Sequence, residues 1–310
     1  LDLAKWGISD VNDLTWLSPP PKLAMHLATD LLGGGTALEK GKITAHGKRM
    51  QQLPCHPRIA HLLLVAQEEG MSALATDVAA ILEERDPLPK EAGVDINLRI
   101  EALRRFRSNK GKGGAFSRIE KIAQQYRKMI GIEISNDAVD EFETGLLLVH
   151  AYPERIAFAR PGNNAQYQLA NGKYAMMRHR DDLSSESWLA IAHMNASGKT
   201  GRIFLASPLN PTDLRPFLKE VDTNTWNTKW GGVVATRDTR IGSIILKSIP
   251  LPDPPQDEIA MAISNALIKE GGTAKGAEGL TPLLQPKKKN KIKYTCPNCE
   301  ANAWGKPNLE

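Results

Sequence analysis

Apolar residues recur at helical spacing through the first half of the chain and give way to short strand-like runs in the second. Leu23 to Leu32 has the period of a helix, and Gly33-Gly34-Gly35 stops it. Thr36-Ala37-Leu38 and Lys42-Ile43-Thr44 flank Gly41, which predicts a short hairpin or wing. Pro57 suits the first turn of a helix that places Ile59, Leu62, Leu63 and Ala66 on one face and closes at Gly70. Ser72 can cap the next helix, whose apolar face is Leu74, Val78, Ile81 and Leu82. Asp86-Pro87 ends it, because a residue before proline avoids helical geometry. Asp95 can cap a third helix carrying Ile96, Ile100 and Leu103. Ser117 and Glu120 have capping-box spacing and predict the start of a fourth, with Ile119, Ile122, Tyr126 and Ile130 inside. A fifth is expected from about Ser135, through Val139, Phe142, Leu146 and Val149, to Pro153.

From about residue 155 the period changes. Tyr167-Gln168-Leu169 precedes Asn171-Gly172, a hairpin-turn dipeptide. Trp188–Ala192, Arg202–Leu205 and Gly242–Leu246 read as further strands of a small antiparallel barrel or sandwich. Pro250 to Pro255 is a linker, Glu258–Ile268 one more helix, and Gly271 to Gly279 a flexible stretch. The expected class is therefore α+β and multidomain. Its parts are an α+β unit over 1–55, a helical bundle over 56–152, a β-rich OB-like or sandwich domain over 153–250, a linker and helix over 251–286, and a basic tail over 287–310.

Composition adds limits. Of the 310 residues, 41% are hydrophobic and 24% charged, an ordinary balance for a chain that buries a core. No run reaches the roughly 18 apolar residues a membrane helix needs, and no signal peptide is visible. The three cysteines, Cys55, Cys296 and Cys299, make a disulfide framework implausible and fit a reducing cytoplasm. The first residue is leucine, so the N-terminus reads as a cut.

Charge is distributed unevenly. Between Arg99 and Lys128 stand ten basic residues: Arg99, Arg104, Arg105, Arg107, Lys110, Lys112, Arg118, Lys121, Arg127 and Lys128. Their only acidic company is Glu101 and Glu120, so the local excess of +8 exceeds the whole chain's +5. Concentrated positive charge attracts a phosphate backbone by counterion release, without reading sequence. Arg99, Arg104, Arg105, Arg107, Lys110, Lys112, Arg118 and Lys121 are therefore the candidate nucleic-acid contacts. The loop Lys110-Gly111-Lys112-Gly113-Gly114 can approach a backbone closely. The competing expectation is a solvated helix face. Phe106 and Tyr126 are the available stacking rings, with Tyr126 in core phase.

Other chemistry is thin. The one GK[ST] triplet, Gly198-Lys199-Thr200, lacks the glycine a phosphate-binding loop needs five positions earlier, where His193 stands. Asp257-Glu258-Ile259-Ala260 follows a proline linker, not a buried strand, so it is not an ATPase box. Cys55-His56 are adjacent, and adjacent side chains diverge; Cys55 is expected to pack as a small hydrophobe. His179, Asp181 and Asp182 form a polar loop. No catalytic residue is predicted. Cys296-Pro297-Asn298-Cys299 has zinc-knuckle spacing, but two thiolates are half of a closed tetrahedral set, which predicts weak zinc binding.

The stretch 36–64, TALEKGKITAHGKRMQQLPCHPRIAHLLL, resembles the junction of the winged helix and the helical, ratchet-like domain of DEAH/RHA helicases. The matching positions are Thr44, Gly47, Met50, Leu53-Pro54 and Pro57-Arg58-Ile59-Ala60. Residues 1–21, 146–160 and 167–173 narrow the resemblance to HrpB-type helicases, with 146–160 falling in their strand region. It covers roughly residues 1–270. It implies ATP and magnesium as cofactors of the parent family, with none in this chain. It also implies RecA-like motor domains in cis, and single-stranded nucleic acid, RNA before DNA, as partner. The last stretch, KNKIKYTCPNCEANAWGKPNLE, is similar to the first half of the zinc ribbon of SprT-like proteins. The reading that results is an accessory segment of an ATP-dependent helicase, without turnover of its own. The alternative is a free-standing nucleic-acid-binding or scaffold protein with a zinc-ribbon-like tail. The two are told apart by whether a motor is encoded upstream.

Overall fold

A computed structural model of the chain describes residues 1–8, 10–162, 165–195, 200–227, 232–252 and 254–266, and beyond these only the backbone of 267–269, 281–283, 292–295 and 302–305. It divides into two units, Leu1–Pro216 and Phe217–Glu310.

The first unit opens with α1 (Asp2–Lys5) and α2 (Lys22–Gly34), then a hairpin of β1 (Leu38–Glu39) and β2 (Lys42–Ile43). Lys40 and Gly41 turn it at positive φ, the geometry glycine adopts without strain. After the hairpin, within the stretch that resembles the winged-helix junction, comes helix α3 (Ala45–Gln51). Thr44 caps it by accepting the Gly47 N–H. Gly47 packs so tightly on the Ala37 carbonyl that a Cβ would overlap it. Leu32, Ala37, Met50, Ala60 and Leu64 form this region's core, with Cys55 against it.

The bundle follows: α4 (Pro57–Glu68), α5 (Ser72–Glu83), α6 (Ile96–Ser108), α7 (Gly114–Ile130) and α8 (Glu141–Ala151). The predicted inward residues of α4 are all buried, as are Leu74, Val78, Ile81, Ile96, Ile100, Leu103, Ile119 and Tyr126. Two starts differ. Helix α7 begins at Gly114, after two glycines at positive φ break the chain, so Ser117 lies inside it and caps nothing. Helix α8 begins after Asp140, whose side chain accepts the Phe142 N–H, while Ser135 holds a separate turn at Asp137. Leu147, Leu148 and Val149 go inside, and Phe142 stays exposed.

A closed five-stranded barrel completes the unit: β3 (Ile156–Ala159), β4 (Gln166–Leu169), β5 (Tyr174–Met176), β6 (Trp188–Met194) and β7 (Thr200–Pro208), in the order β3-β4-β5-β7-β6. The ladders are antiparallel except β5–β7, which is parallel, so the expected purely antiparallel arrangement is corrected. Residues 146–151, which the resemblance placed in a strand region, are the end of α8. That helix packs on the bundle and on the barrel at once. Gly145 abuts the Pro208 carbonyl with no room for a methyl. The Asn97 amide donates to Ser207 Oγ at 2.9 Å, and Ser207 donates to the Glu141 carbonyl at 2.9 Å.

In the second unit β8 (Lys219–Asn227), β9 (Gly232–Ile241) and β10 (Ile244–Pro250) form an antiparallel sheet, with Gly242 in the turn, not in a strand. Residues 153–250, expected as one β-rich body, thus carry a barrel and a separate sheet. Ile259 and Ile263 of α9 (Gln256–Lys269) pack on Trp226 and Val233. The backbones of β11 (Thr281–Leu283), β12 (Ile292–Thr295) and β13 (Asn302–Gly305) make a further small sheet.

Candidate nucleic-acid interface

The ten basic residues of 99–128 do not share a surface. Helical phase divides them, because each helix turns one side inward. On α6, Arg104 and Arg107 fall on the side of Ile100 and Leu103; on α7, Arg127 falls beside Ala123 and Tyr126. These three guanidiniums meet Asp77, a carboxylate only 1% exposed in the middle of apolar α5. Asp77 takes Arg104 Nε at 3.0 Å, Arg107 Nη2 at 2.6 Å and Arg127 Nη1 at 3.6 Å. Glu120, from α7, takes Arg107 at 2.7 Å and Arg127 at 2.5 Å. Arg99 is buried too, and forks onto Asp86 through Nε and Nη2 at 3.1 and 2.7 Å. Buried cations survive only when paired and hydrogen-bonded. Burial alone would lower the Arg107 pKa, but the hydrogen bonds and charge of Asp77 and Glu120 outweigh it and raise it.

The network also holds chain outside the helices. Arg104 donates to the Asp137 carbonyl at 2.5 Å, and Arg107 to the Ser135 carbonyl and Asn136 Oδ1, each at 3.1 Å. Arginines therefore hold residues 135–137 of the segment between α7 and α8.

Arg99, Arg104 and Arg107 are thus occupied inside the bundle. Arg105, Lys110, Lys112, Arg118, Lys121 and Lys128 remain exposed, with Glu101 as the exposed acid of the stretch. Arg118 reaches Glu84 at 3.4 Å with 60% of its side chain open, so it stays accessible. Lys110 sits at φ +50, where the chain turns between α6 and α7. A Cβ on Gly111 would overlap the Phe106 ring, so this glycine is used by packing. Phe106 is half-buried and stacks on Phe116 at 5.9 Å. Tyr126 is buried and donates to Glu83 at 2.5 Å.

The other candidates resolve into structure. Burial pushes the Cys55 thiol up to about 11, so it is no ready nucleophile, and His56 turns away to accept the Arg58 N–H. Asp181 accepts the Val94 and Leu183 N–H groups. Glu258, in the first turn of α9, accepts from Asn224 at 2.5 Å. Residues 196–199 of the GKT segment, and Cys296 and Cys299, lie outside the described residues. Among the described residues no group of three or more His, Cys, Asp or Glu side chains is placed to hold a metal, and no helix is long and apolar enough to cross a membrane.

The second unit's sheet gives the family signal. Residues 217–251, which contain β8, β9 and β10, match the family model described as ATP-dependent RNA helicase HrpB, connector region. The ATP-dependent RNA helicase HrpB of Escherichia coli (strain K12) is 32% identical over 280 residues, spanning 87% of this chain and 32% of that protein. Over most of its length the chain is thus similar to HrpB-type helicases. The crystal structure of E. coli DExH-box NTPase HrpB superposes with a TM-score of 0.67 at 30% identity, over 87% of this chain and 32% of that one. A probable ATP-dependent RNA helicase of Saccharomyces cerevisiae (strain ATCC 204508 / S288c), DHR2, is 31% identical over 96 residues, covering 29% of this chain and 13% of it. The chain therefore spans about a third or less of these relatives.

Sequence reasoning missed Asp77, Asp86 and Glu120 as ion-pair partners. A signal was present. A single aspartate inside the apolar run of α5 can be buried only against cations, and Glu120 shares its helix side with Arg127.

Proposed function

We propose that this HrpB-type region guides single-stranded nucleic acid, RNA before DNA, for an ATP-dependent helicase motor supplied in cis. In that whole protein ATP and magnesium drive the motor. This region contributes a winged-helix-like unit (α2, β1, β2, α3), a ratchet-like bundle (α4–α8), an OB-like barrel and the connector sheet. The observation that carries the reading is the similarity to E. coli HrpB over 87% of the chain. Within it, the exposed part of the basic set, Arg105, Lys110, Lys112, Arg118 and Lys121, holds phosphates. Arg99, Arg104 and Arg107 contribute by fixing the helices that present them. A zinc ion between Cys296 and Cys299 would need further ligands, and nothing in the reading depends on it.

The test uses the chain itself. Arg105, Lys110, Lys112, Arg118 and Lys121 are changed together to glutamate, and binding to a short single-stranded RNA is measured across a salt series. Five lost phosphate contacts lower the log–log salt slope by up to roughly 3.5, at about 0.7 per contact on a single strand. An unchanged slope and affinity would refute phosphate contact by these residues. ATP turnover by the chain alone is expected to stay at background, with or without RNA.

A further inference from the structure

A groove of about 360 Å³ lies where the α4–α5 turn, the start of α8 and the turn after β7 come together. Met71, Phe142 and Leu146 are its apolar lining, and Glu69, Asp140, Glu143 and Asp213 its acids. Phe142 and Leu146 have the spacing of core residues, yet they line this groove, and Phe142 is 36% exposed. Among the described residues no lysine or arginine lines it. The chain around it is equally bare of cations. From 129 to 154 stand six acidic residues and no lysine or arginine, in a protein whose net charge is +5.

Part of this charge has a local use. Asp140 caps α8 by accepting the Phe142 N–H at 2.8 Å, and Glu141 and Glu143 suit the positive end of the helix dipole. Glu69 faces His150 at 3.4 Å. These uses do not account for Asp213, which another element brings onto the same groove, nor for the open Phe142 ring. The negative field is also felt. Burial, followed by the charges of Asp95, Glu186 and Asp140, raises the Glu141 pKa.

The occupant follows from the chemistry. Carboxylates repel a phosphate backbone, so nucleic acid is disfavoured here. Among the described residues no group of His, Cys, Asp or Glu is placed to hold a metal. A polyamine would meet the acids but leave the ring in water. An apolar patch rimmed by charge of one sign fits a segment that carries the opposite charge and a large apolar side chain.

We propose that this groove docks a partner protein through a lysine- or arginine-rich segment, whose cations reach Glu143 and Asp213 while one large apolar side chain covers Phe142. The contact is independent of the nucleic-acid reading, since it uses residues of the opposite charge on other elements.

The test measures, by fluorescence anisotropy, binding of a short peptide of lysines around one phenylalanine. The comparison is the same peptide with serine in place of the phenylalanine. The native chain should prefer the phenylalanine peptide roughly 10-fold or more, the worth of covering one such side chain. This preference is read without altering the protein. Phe142→Ser should abolish it, and Phe142→Leu should keep most of it. Glu143→Gln together with Asp213→Asn should weaken both peptides roughly 2- to 30-fold, the worth of two surface ion pairs, and flatten the salt dependence. Melting curves check that each variant keeps its fold. Equal affinity of the native chain for the two peptides, native affinities in Phe142→Ser and the double variant, or no binding of either peptide overturns the proposal. So does a dimer of the native chain in sedimentation that these variants dissociate, because a second copy then fills the groove. Loss of RNA binding in the same variants would place the groove on the nucleic-acid path and overturn it as well.

Discussion

Removal of the Asp77 carboxylate tests the claim that much of the basic stretch is internal scaffolding. Asp77→Ala would leave Arg104, Arg107 and Arg127, each no more than 9% exposed at its side chain, with Glu120 still pairing Arg107 and Arg127 and with only the Asp137 carbonyl holding Arg104. Breaking a buried ion pair by deleting one partner costs about 3–5 kcal/mol, mostly because the surviving charge is left uncompensated. For a body of this size each kcal/mol is about 2–4 °C of melting temperature, so a fall of roughly 6–20 °C is expected. The control is Arg105→Ala on the exposed side of the same helix, which should stay within about 0.5 kcal/mol of the native chain. Urea unfolding followed by circular dichroism gives both values. A second readout is local. The carbonyls of Ser135 and Asp137 rest on Arg107 and Arg104, so limited proteolysis near residues 132–139 should quicken in the variant. If Asp77→Ala costs no more than Arg105→Ala and the segment is cut no faster, the network carries no stability and the reasoning fails.

The remaining expectations can be checked with the same preparations. His46 Nε2 and His61 Nδ1 stand 2.9 Å apart, and burial, followed by the His46 and His150 charges, lowers the His61 pKa to about 4. The unfolded chain then takes a proton near 6.5 and the folded one only near 4. Stability from this site is full above about 6.5 and is lost as pH falls toward 4. Urea unfolding at pH 7 and pH 5 should show a larger loss for the native chain than for His61→Gln; parallel losses would refute it. Gly145→Ala should destabilise by about 1–3 kcal/mol, although alanine is the better helix former, because the methyl overlaps the Pro208 carbonyl. A stabilised variant would mean that α8 and β7 separate easily.

The helices were legible where one face alone is buried. Ile59, Leu62, Leu63 and Ala66, or Ile96, Ile100 and Leu103, repeat at a period that only a helix satisfies. Helix starts were less so. Ser117 with Glu120 has capping-box spacing, yet Gly113 and Gly114 break the chain first and Glu120 is claimed by two arginines. The β-rich half was read as one body because short strands show which face is apolar, not which strand is the neighbour. Pairing of β5 with β7 in parallel, which sets Tyr174 opposite Thr200 across the intervening β6, joins strands that are not neighbours along the chain.

By itself, then, the sequence determined the helical periods, the hairpin at Gly41, the change to strands near 155 and the family resemblance. All of these are set by neighbours within a few residues or by motifs read in order. Only the tertiary structure decided which cations face water. Charge counted along a chain has no direction, whereas a helix gives each side chain one. Packing α5 against α6 and α7 took Arg104, Arg107 and Arg127 inward to Asp77 and left Arg105, Lys110, Lys112, Arg118 and Lys121 outside.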